Sequence, residues 1–178
     1  MTIEENLEEI GARISKACER SGRSLDEVTL AAITKTQNSE AIRAAFEAGI
    51  RHFGENRVQE AGGKLPELKE IRSQSTWHMV GHLQTNKVKT ALELFDIIQS
   101  VDSLKLAASL SRNAHGDVPV FLQVNLAGEE TKSGFSIEEL AEAASRIEAS
   151  PARAASPPGR RAVPAPTQGT RPRRRRVT

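Results

Sequence analysis

Five short apolar runs return along this chain at nearly constant intervals, and that spacing restricts the possible folds more than any other feature. Val28–Thr34, His52–Gly54, Thr76–Gly81, Ile97–Val101 and Pro119–Leu126 begin 24, 24, 21 and 22 residues apart. Each interval accommodates one helix with its turns, and helix signals fill the gaps. Ser39 to Ala48 is closed by Gly49, Ser103 to Asn113 follows the fourth run, and Ser136 to Ala149 opens on a Ser136/Glu139 capping box. An amphipathic helix over 2–21 comes first, with Thr2 and Glu5 as its capping box and Gly22 as its stop. Five βα units in succession predict an α/β fold with a parallel sheet and right-handed crossovers. Both a doubly wound sheet and a (β/α)₈ barrel satisfy this. No G-x-G-x-x-G follows the first run, which weakens the dinucleotide-binding form of the open sheet.

The chain changes character at Pro151. Arg, Pro, Ala and Gly make up 21 of residues 151–178, with eight Arg and no acid. Residues 1–150 read as one partial barrel domain. Residues 151–178 lack apolar periodicity and read as a disordered tail. Its four dominant residue types have GC-rich codons, so we expect an out-of-frame terminus and a C-terminally truncated barrel. The alternative is an arm over Arg171–Arg176 that contacts nucleic-acid phosphates. The body argues against nucleic acid, since residues 1–150 hold 17 basic against 23 acidic side chains. There is no apolar run of the roughly 18 residues that a membrane span needs, and the acidic start is unlike a secretory signal. Cytoplasmic location is the expectation, as is a monomer. The lone Cys18 fits a reduced, inert thiol.

The residues able to carry chemistry sit where the predicted strands end. Lys35 closes the first strand, at the mouth where parallel barrels hold ligands, and partial burial there would favour the amine that attacks an aldehyde. A lysine that simply meets water is the plain alternative. At the end of the second strand Gly54 permits close backbone approach, and Asn56 offers both a donor and an acceptor. His78 and His82, four apart on the third strand, would face one side. No Cys or carboxylate accompanies them at ligand spacing, so no metal site is expected. Trp77 reads as packing. The fourth strand runs into Asp102-Ser103, and alternation places Gln123 and Asn125 on one face of the fifth.

These segments together resemble a known family. Ala-Ile-Thr-Lys-Thr around Lys35, the stretch His52–Glu60, Trp77–Lys87, Ser100–Ala107 and Gln123–Gly134 are similar, in order and spacing, to the YggS/PROSC family of pyridoxal 5′-phosphate (PLP) homeostasis proteins. The resemblance implies a (β/α)₈ barrel like the N-terminal domain of alanine racemase. It also implies PLP held as a Schiff base on Lys35, with Asn56, His78, Ser103 and Asn125 around the ring or at the mouth. A non-catalytic role in vitamin B6 homeostasis follows, with a racemase-type enzyme as the alternative. Racemisation needs an acid/base on each face of the substrate, and the related racemases take a tyrosine from a second domain. This chain has no tyrosine and no such domain is visible, which disfavours the enzyme. About five βα units would leave the barrel open, so weak PLP retention or none is expected.

Overall fold

The computed structural model describes residues 2–127 and 133–148, and the expectations for the 151–178 tail lie outside them. Helix α1 (Ile3–Ser21) forms as the sequence predicts. Thr2 and Glu5 make the reciprocal capping box, and Gly22 ends the helix in the left-handed conformation at φ 67°. Strands β1 (Ala31–Ile33), β2 (His52–Glu55), β3 (Thr76–Met79), β4 (Ile97–Val101) and β5 (Val120–Leu122) then alternate with helices. The helices are α2 (Ser39–Glu47), α3 (Val58–Lys64), α4 (Lys69–Arg72), α5 (Val88–Leu94), α6 (Leu104–Asn113) and α7 (Ile137–Glu148).

All four strand pairings are parallel, in the order β1-β2-β3-β4-β5. That order decides between the two architectures the spacing allowed. A doubly wound sheet reverses direction at a switch point, whereas a barrel adds each strand beside its predecessor. The described strands are therefore an incomplete TIM-like barrel, with β1 and β5 as its two edges.

Burial agrees, because helices cover one face of the sheet. On that face Phe53 and Trp77 stack with ring centroids 5.1 Å apart, joined by Met79, Ile98, Leu65, Leu68, Val88 and Leu110 in the core. Trp77 is fully buried and donates its indole N–H to Ser75 Oγ at 2.9 Å. The other face, a closed barrel's interior, is open. Ile33 is 49% exposed and Phe121 42% exposed there.

Three strands are shorter than the sequence predicted, β3 only by ending at Met79 rather than Gly81. Val28–Leu30 stay outside β1, since a 3₁₀ turn at Leu25–Glu27 feeds straight into them and an edge strand has only one partner to hold it. The run from Pro119 ends as a strand at Leu122, where the β4–β5 register slips between Ile98 and Val101. Beyond it, Val124 bridges Phe135 instead. Among the described residues no helix is long and apolar enough to cross a membrane.

Candidate functional site

Register brings three of the five candidate residues together at the C-terminal ends of neighbouring strands. Ile33 pairs with Gly54, and Gly54 with His78. The ladder continues past β1 through the Thr34 N–H, which donates to Gly54 O at 2.9 Å. Lys35 and Asn56 follow the ends of β1 and β2, each two residues beyond the paired Ile33 and Gly54, while His78 pairs with Gly54 within the sheet. Lys35 is exposed in the turn after β1. Its amine has no hydrogen-bond or ion-pair partner among the described residues, and its exposure departs from the partial burial expected of it. Asn56 is half-buried directly after β2.

His78 is 4% exposed and sits in a chain of polar groups on the open face. Its Nδ1 lies 3.0 Å from Gln99 Nε2, and its Nε2 lies 3.0 Å from His52 Nδ1. With the Gln99 amide donating, His78 passes its own N–H to His52, so both rings are neutral. Burial, reinforced by the neighbouring His52, pushes the His78 pKa down to about 4. Burial lowers that of His52 as well, partly opposed by Asp96. His82 takes a different partner, Asp102 Oδ2 at 2.8 Å, so the two histidines four apart share no site.

Ser103 and Asn125 lie further along the rim. Ser103 is the N-cap of α6, accepting from the Leu106 N–H at 3.3 Å and donating to Asp102 Oδ1 at 3.1 Å. Its hydroxyl is thus engaged both by the helix and by Asp102. Asn125 is half-buried, its backbone N–H tied to Phe135 O at 2.9 Å.

Gly54 makes room for protein rather than ligand. A Cβ there would lie 2.7 Å from Ile33 Cδ1 and 3.2 Å from Val80 Cγ1. Gly81 matters more, because any Cβ would overlap the Asn56 main chain, while Ser100 Oγ donates to Gly81 O at 2.6 Å. The turns after β2 and β3 are therefore in backbone contact. Gly81→Ala is expected to cost about 1–3 kcal/mol and to shift Asn56, read by urea denaturation and the Asn56 amide resonances. A loss below about 0.5 kcal/mol would show that these turns yield easily.

A buried cluster behind Lys35 escaped the sequence reading. Glu55 is fully buried on the helix-covered face, where its Oε1 accepts the Thr34 hydroxyl at 2.7 Å and Lys64 Nζ at 3.1 Å. Lys64 also reaches Glu60 Oε1 at 2.6 Å, and this contact holds the Glu60 carboxyl below its usual range. The signal was present in part, since Glu55 alternates with Phe53 onto an apolar face and Glu60 and Lys64 are four apart on one helix.

Comparison with known proteins identifies the family. Residues 6–156 match the sequence profile of the family described as alanine racemase, N-terminal domain. A pyridoxal phosphate homeostasis protein of Pseudomonas aeruginosa is 43% identical over 142 residues, covering 78% of this chain and 61% of that protein. A protein of the same description from Haemophilus influenzae is 36% identical over 170 residues, covering 94% of this chain and 71% of its own length. Among solved structures, PipY of Synechococcus elongatus with PLP bound is 39% identical. It superposes with a TM-score of 0.60 over 72% of this chain and 62% of PipY. The chain spans about three fifths of the Pseudomonas relative's length. Sequential strand order, a lysine closing β1 and these matches together place the chain in the alanine racemase N-terminal domain family, among its pyridoxal phosphate homeostasis proteins.

Proposed function

We propose that this chain carries the lysine-bearing side of a PLP site and serves intracellular vitamin B6 homeostasis without turnover of its own. The observation that carries the reading is Lys35 just past the C-terminal end of β1, two residues beyond the Ile33–Gly54 pair, exposed and without a partner among the described residues. Bound PLP supplies an aldehyde, an aromatic ring and a phosphate. Lys35 Nζ adds to the aldehyde carbon to form a C=N bond, and the carbonyl oxygen leaves as water with the two amine protons. Asn56 could hydrogen-bond the hydroxyl oxygen that the ring carries. His78, neutral and anchored by Gln99 and His52, offers a ring edge below it without adding charge. Ser103 and Asn125, which follow β4 and β5, would complete the rim.

A racemase-type enzyme, the alternative, needs an acid/base on each face of the substrate, so formation of the opposite enantiomer from an amino acid would favour it over the carrier. Borohydride reduction of protein mixed with PLP, followed by peptide mass mapping, is expected to place the adduct on Lys35. Lys35→Ala should remove it. Labelling spread evenly over surface lysines, unchanged by that substitution, would defeat the proposal.

A further inference from the structure

The turn that carries Lys35 is strained on one side and tethered on both. Thr36, the next residue, has φ 63°, and among the described residues it alone of the non-glycines has a positive φ. A β-branched residue stays in that region only where its surroundings hold it there. The surroundings are the cluster behind the turn. Besides Glu55 and Glu60, Lys64 Nζ donates to the Thr34 carbonyl at 2.9 Å, so its three protons have three acceptors. Glu60 Oε1 in turn accepts the Thr36 amide N–H. The residue before Lys35 is thus pinned by its carbonyl and hydroxyl, and the residue after it by its N–H.

Stability alone accounts poorly for this cluster. Desolvating a buried ion pair offsets most of its attraction, and an apolar pair of similar volume commonly does as well. Glu55 Oε2 is buried without a hydrogen-bond partner among the described residues, a further cost. What such a cluster does supply is fixed geometry.

We propose that Lys64, acting with Glu60, is a positioning residue for Lys35. It locks the strained turn so that the amine is presented over the open face toward Asn56 and His78. The inference rests on the reading of Lys35 as the PLP-bearing lysine, and it concerns the apo chain as much as the loaded one.

The test uses the full chain, PLP as the probe, and two readouts. Glu60→Ala removes the acceptor of the Thr36 N–H at a partly exposed position and is expected to fold. It should speed hydrogen exchange at the Thr36 amide about tenfold or more without PLP, and slow reductive trapping of PLP on Lys35 by a similar factor. Lys64→Met should do both more strongly. If it fails to fold because Glu55 loses its counter-charge, the Glu55→Gln/Lys64→Met pair restores neutrality and should still lose the trapping. Unchanged exchange and trapping in folded Glu60→Ala and in the double variant would overturn the proposal. A wild-type chain that traps nothing on Lys35 overturns the function reading instead, and the exchange at Thr36 still decides whether Lys64 and Glu60 hold the turn.

Discussion

Trp77→Ala is expected to bring the chain close to unfolding, with a loss of about 3–5 kcal/mol. The indole is fully buried on the helix-covered face and stacks on Phe53 at 5.1 Å, with the planes 26° apart. Truncation removes that stack, worth about 0.5–1.5 kcal/mol beyond area burial, and leaves a cavity that strands flanked on both sides cannot close. It also removes the indole N–H bond to Ser75 Oγ, which keeps its own bond to Ile71 O. A domain with a total stability of about 5–15 kcal/mol has little margin for such a loss. The urea midpoint followed by circular dichroism is the measurement, since the substitution removes the chain's single tryptophan. A shift equivalent to less than about 1 kcal/mol would mean that the helices do not close over this face as described.

Acidification should also weaken the fold, through the pair His78 and His52. In the unfolded chain His78 takes up its proton near 6.5, whereas the folded site resists protonation down to about 4. The unfolded state therefore binds more protons in between. The stability contribution is complete above 6.5 and is lost as the pH falls through that window to about 4. Linkage sets an upper figure of about 3 kcal/mol, and solvent reaching the open face reduces it to about 2 kcal/mol. His52 shifts in the same direction, so the observed titration belongs to the pair. Carboxylates such as Glu60, whose pKa is lowered from 4.5, contribute a separate loss only below that value. Urea midpoints across this range should fall in the wild type and flatten in His78→Gln. Equal slopes in both would remove His78 from the account.

The architecture was legible because it is written in local signals. Thr2 with Glu5, Gly22, and Ser136 with Glu139 make hydrogen bonds between residues three to five apart, and the structure forms them where expected. The strand-to-helix rhythm gave five units in order, though not whether they open or close into a barrel, since that depends on which strands become neighbours. Strand ends were less legible. Whether Val28 or Ala31 begins β1 depends on an edge that has one partner, and whether Asn125 belongs to β5 depends on Phe135. At the candidate site, Lys35, Asn56 and His78 were readable as strand-end residues. The cluster of Glu55, Glu60 and Lys64 was not, because Lys64 meets Thr34 thirty positions away in sequence. Gln99 and His52 were missed for the same reason: their roles come from register rather than spacing.

The sequential strand order also bears on how the chain comes into being. With order β1-β2-β3-β4-β5, the pairing partner of each new strand has already emerged from the ribosome when that strand appears. Every βα unit can dock on the one made before it, without waiting for a distant segment, which keeps loop-closure distances short at each step. Assembly can proceed vectorially during synthesis, its growing margin always the most recently translated strand.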